Sequence, residues 1–135
     1  MIHKFNIDIY HTPIYITYDA TEKEVTKMFN INEHSFPDKV SAYTYTTHTR
    51  KDNKRCIFIA FCSKKEMTAP IMGHEATHAA MSVYEYFEMD PSGYANEPIA
   101  YLIEYIIECC EKVKNYNKRR NKKSSNKLIE QAGEQ

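Results

Sequence analysis

Long apolar runs are missing from this sequence. The longest, residues 56–62 (CIFIAFC), is seven residues, against the roughly 20 that cross a bilayer, so no membrane span is expected. The first ten residues hold Lys4 and Asp8 with no apolar stretch between them, unlike a secretory signal. No Cys-x-x-C pair occurs, which removes the usual zinc-knuckle and thioredoxin readings. The four cysteines make no disulfide frame either: Cys109 and Cys110 are adjacent in a helical pattern, and Cys56 and Cys62 lie far apart along one strand pattern. Reduced thiols in a soluble, cytoplasmic protein are the expectation. With three glycines, 42% hydrophobic and 27% charged residues, the composition excludes collagen-like, coiled-coil and wholly disordered chains.

Net charge is also absent, but only in total. Residues 1–110 hold 10 Lys and Arg against 15 Asp and Glu, a net of −5, whereas residues 111–135 hold 8 against 3, a net of +5. An acidic body therefore carries a basic end. Nucleic-acid binding is not favoured, since its affinity rests on a basic face, and the aromatic residues have no interleaved arginines for base stacking.

What is present reads as strands first and helices after, hence an α+β fold: a small antiparallel or mixed sheet packed against two later helices. At 135 residues one domain is expected. Residues 2–10 alternate, with Phe5, Ile7 and Ile9 on one face. A second β-rich run follows Pro13, and Thr21 with Glu24 marks a capped short helix. Residues 40–49 and 56–62 form a second hairpin whose later strand is the better buried. From Thr68 to about Phe87 the pattern is helical, with Pro70 in the first turn. A second helix runs from about Tyr94 or Ala95 to Asn117, with Ile99, Leu102, Ile103, Ile106, Cys110 and Val113 at helical period. The domain is expected to occupy residues 1–117. Residues 118–135 form a basic tail whose only apolar pair is Leu128 and Ile129, and it is expected to be loosely ordered.

One motif carries chemistry: His74-Glu75-Ala76-Thr77-His78. On a helix the two histidines stand one turn apart on the same face and can reach one metal ion. Glu75, rotated by about 100°, stands where the general base for a metal-activated water belongs. A random chain of this composition would show the pattern about 2–3% of the time, so its weight comes from context. Met72, Ala76, Ala79, Val83 and Phe87 fall opposite His74 on the helical wheel, which sets the histidines away from the buried stripe.

A catalytic zinc needs a third protein ligand. The position six residues past His78 is Tyr84, not histidine, but Asn96-Glu97 follows, with Glu97 19 residues after His78. With these residues the chain resembles the gluzincin branch of zinc metallopeptidases, the thermolysin-like group, over roughly residues 54–108. The resemblance implies a zincin-like fold, Zn²⁺ held by His74, His78 and Glu97, Glu75 as general base, and a peptide or protein substrate. It also implies that residues 57–62 form the edge strand that pairs with extended substrate. An acid commonly follows the third ligand by four residues in that group; here the position is Tyr101, and Glu104 is the substitute to hydrogen-bond a ligand histidine. Tyr94 and Tyr101 are candidate donors to the oxyanion. Asp90, His3, His11, His34 and His48 remain open as other third ligands, and Glu97 also suits a plain helix start through the dipole. A second expectation, from a different class, is a structural-metal or inactive binding module; a third is an adaptor that uses the basic tail. Oligomeric state is left open.

Overall fold

The N-terminal alternation becomes strand β1 (His3–Ile7), but it stops there. Asp8–Tyr10 is a 3-10 turn closed by His11 at φ 48°, whose N–H donates to the Asp8 carbonyl. Ile9 consequently points into solvent instead of continuing the inward face. The chain then enters β2 (Thr12–Thr17), buried throughout. These and all following elements come from a computed structural model that describes residues 1–32, 36–92 and 96–116.

Helix α1 (Glu22–Met28) starts at the expected capping box: the Thr21 side chain accepts from the Glu24 N–H, and Glu24 accepts from the Thr21 N–H. Strands β3 (Ala42–His48) and β4 (Arg55–Phe61) form the second hairpin. Helices α2 (Ala69–Tyr86) and α3 (Glu97–Lys114) complete the described chain. Tyr94, Ala95 and residues 117–135 lie outside the described residues, so α3 is described from Glu97 onward.

The sheet order is β1-β2-β4-β3, with β2 and β4 parallel and both outer pairs antiparallel. The fold is α+β with a mixed four-stranded sheet. After Arg55, strand β4 is apolar at every position because it is buried on both faces. Ile57, Ile59 and Phe61 join Ile14, Ile16, α2 and α3 in one core, while Cys56, Phe58 and Ala60 join Tyr15, Val25 and Phe29 under α1 in the other. The expectation that residues 57–62 form the sheet edge is therefore corrected: β4 is interior, and the edge next to it is β3.

Two contacts fix the helical layer. Tyr10 stacks against Tyr84 and Phe87 at the end of α2, and it lines a groove with Pro98 and Tyr101 at the start of α3. His3 meets Tyr116 beyond the other end of α3, with ring centroids 4.9 Å apart. The two helices therefore run antiparallel. Met72, Ala76, Ala79 and Val83 are buried as the wheel implies, whereas Phe87, just past the last turn, is 43% exposed. No helix among the described residues is long and apolar enough to cross a membrane.

Candidate metal centre

Helix α2 is begun by Thr68, whose side chain accepts from the Ile71 N–H, and by Pro70 in the first turn. It ends at Tyr86 and is closed by Glu88, in the left-handed region at φ 53°. The Met89 N–H donates to the Tyr84 carbonyl and the Glu88 N–H to that of Glu85, a Schellman closure without glycine. Arg55 ties the helix to the sheet, with its guanidinium 3.6 Å over the Tyr86 ring and Nη2 donating to the Ser82 carbonyl at 3.3 Å.

On this helix His74 and His78 are exposed, one turn apart, with their Nε2 atoms 3.0 Å from each other. The ring centroids are 4.7 Å apart and the planes meet at 75°. Two nitrogens on one tetrahedral zinc, each about 2.0–2.1 Å from it, stand ~3.3 Å apart. The pair needs to open by only a few tenths of an ångström to share an ion, so these two residues fit a zinc.

The histidines border an open cleft of about 410 Å³ between α2 and the edge strand, lined also by Thr44, Tyr45, Thr46 and Ser82. Ala42, Thr44 and Thr46 turn toward α2, while Tyr43 and Tyr45 face the α1 core. Glu75, 5% exposed, forms part of the same wall. Its Oε2 accepts from the Thr44 hydroxyl at 2.5 Å. The same hydroxyl is 3.4 Å from the Glu75 carbonyl oxygen. A hydroxyl has one hydrogen to give, and the shorter contact places it on the carboxylate.

The remaining candidates are elsewhere. Glu97 is exposed at the start of α3 and absent from the cleft wall. Burial pushes the Cys110 thiol up to about 12, with Cys109, Glu111 and Glu75 also contributing. Tyr10 meets Tyr84 and Phe87 at the end of α2 and shares a groove with Pro98 and Tyr101, so the start of α3, with Glu97, lies level with the last turn of α2, past His78. Tyr101 is 65% exposed and lines a different groove, with Ile9, and Glu104 is exposed on the same outward side of α3. The reason is the α3 core stripe: Ile99, Leu102, Ile106, Cys110 and Val113 turn inward and carry Glu97, Tyr101 and Glu104 outward. Tyr94 and His34 lie outside the described residues.

Asp90 accepts hydrogen bonds from Ser92, His3 meets Tyr116, and His48 closes β3 opposite Arg55. Among the described residues no three His, Cys, Asp or Glu side chains converge as a metal group. Thr44 is the residue sequence reasoning missed. The alternation of residues 42–48 places it on a face with Ala42 and Thr46, but not which face meets the motif. No known protein family, curated protein or solved structure matches this chain.

Proposed function

We propose that this chain is a zinc-dependent peptidase, a minimal single-domain zincin in which His74 and His78 hold the metal and Glu75 is the general base. The observation that carries this reading is the pair of Nε2 atoms 3.0 Å apart on one helix face, beside a cleft that Glu75 also lines. Zinc at such a site supplies Lewis acidity for attack on a carbonyl.

The protein's own groups supply the proton handling. With Oε2 engaged by Thr44, Oε1 of Glu75 is the oxygen left to take a proton from the attacking water and return it to the leaving amine. Strand β3 ends the sheet on the cleft side, and a sheet edge beside the histidines suits an extended peptide held by main-chain hydrogen bonds.

A second reading has its own observation. Among the described residues the convergent donors are the two histidines, one short of the three that catalytic zinc sites use. That favours a metal-dependent binding module without turnover.

Zinc analysis together with a peptide library, run on the wild type and Glu75→Gln, separates the readings. Bound zinc with cleavage that disappears in Glu75→Gln is the expected result, because an amide cannot accept the water's proton. Bound zinc with no cleavage by either protein selects the binding module. A wild-type protein that takes up no zinc sinks both.

A further inference from the structure

The molecule has a second concave surface, remote from the histidines. A groove of about 420 Å³ runs between the turn after β1 and the first half of α3, with Ile7, Ile9, Tyr10, Tyr101, Leu102 and Tyr105 along it. Ile9 is 80% and Tyr101 65% exposed, an uncovered apolar surface at the groove's lip.

The helical side of this groove carries one sign of charge. Between Lys65 and Lys112 the sequence has no Lys or Arg and nine Asp or Glu. On α3, Glu97, Glu104 and Glu108 are all exposed and share one face with Tyr101, at the helical intervals four, seven and eleven residues after Glu97. Asp8 stands in the groove wall. An acidic stripe thus leads along α3 from the groove toward the helix's C-terminal end.

The chain itself has a segment of the opposite character. Residues 118–127 hold Lys118, Arg119, Arg120, Lys122, Lys123 and Lys127 with no acid, and Leu128 and Ile129 follow directly. From Tyr116 back to Tyr101 is ~22 Å along the helix. The twelve residues from Tyr116 to Leu128 span up to ~40 Å when extended, so the apolar pair has the reach to arrive at the groove while the basic run lies along the stripe.

We propose that residues 118–129 dock on their own domain, the cations of 118–127 along Glu108, Glu104 and Glu97 and the Leu128–Ile129 pair in the groove at Ile9 and Tyr101. Charge complementarity selects this occupant, independently of the histidine cleft and of any bound metal.

Zero-length carbodiimide cross-linking of the dilute full-length chain, mapped by mass spectrometry, tests it. The expected products join Lys122, Lys123 or Lys127 to Glu97, Glu104, Glu108 or Asp8. They should fall several-fold in about 1 M salt, where screening acts over about 3 Å, and in the Leu128→Asp/Ile129→Asp double variant. A mixture of isotopically light and heavy chains identifies the other occupant. In an equal mixture, light–heavy products making up about half of these links, as random pairing of copies requires, would assign the groove to the tail of a second copy and overturn docking within one chain, which yields none. Lysine links spread evenly over Glu22, Glu24 and the α3 acids, or unaffected by both salt and the double variant, would overturn it as well.

Discussion

Glu75 and Glu97 show how differently two carboxylates at motif positions can be placed. Glu75 is set by one turn of helix and one hydroxyl, and its neighbourhood to His74 and His78 follows from helical geometry alone. Glu97 sits where an interval of 19 residues was expected to bring it back to the histidines. An interval in sequence becomes a distance only after the first helix has ended and the turn has been made. Helix α2 continues for two turns past His78, so the chain re-enters the helical layer at the far end. Glu97→Gln should therefore leave zinc affinity unchanged while costing roughly 0.3–1 kcal/mol of stability through the helix dipole. His78→Ala should abolish zinc uptake, since it leaves one of two convergent donors. Zinc titration and urea melts of both variants check this, and a steep loss of affinity in Glu97→Gln would return that residue to the site. Glu88 offers a separate residue-scale test, because a left-handed residue closing α2 is a place where glycine costs nothing sterically. Glu88→Gly should raise the urea midpoint, by up to about 1 kcal/mol in stability.

The elements with local signals were legible. Thr21 and Glu24 form the expected capping box, and the stripes Met72–Ala76–Ala79–Val83 and Ile99–Leu102–Ile106–Cys110 turn inward as their spacing requires. Thr21→Ala removes one half of that box and should lower stability by about 1 kcal/mol, measured as a shift of the denaturant midpoint without a change in slope. What could not be read locally was the neighbour of each strand. The resemblance placed residues 57–62 at the edge, yet their uninterrupted apolar character belongs to a strand covered on both faces. The Tyr and Thr alternation of β3 was the edge signal, present in the sequence and outweighed by the motif's proximity to β4. Residues 8–10 failed for another reason: their alternation is genuine, but His11 takes a left-handed turn ahead of Pro13 and lifts Ile9 out of the sheet.

At the scale of the molecule, two cores share one sheet, and three of the four thiols are sealed in them. Burial pushes Cys56 up to about 11 and Cys110 up to about 12, and it raises Cys109 as well, while Cys62 is exposed. Near pH 8 an alkylating reagent should label Cys62 alone in the native protein and all four cysteines after denaturation, since only an accessible thiolate reacts. Labelling of Cys110 without unfolding would show that the α2–α3 seam opens. The parallel pairing of β2 with β4 has a consequence for the order in which the molecule is made. Until residue 61 has left the ribosome, β2 has only β1 beside it, and a two-stranded ribbon is marginal by itself. The sheet closes late, and the turn bearing both imidazoles emerges immediately afterwards. That turn needs no sheet to bring its nitrogens together, so on the proposed reading zinc would also bind chains that have yet to fold. If the proposed zinc binds there, its contribution to net stability would be smaller for that reason, and its larger effect would be on how early α2 becomes helical during synthesis.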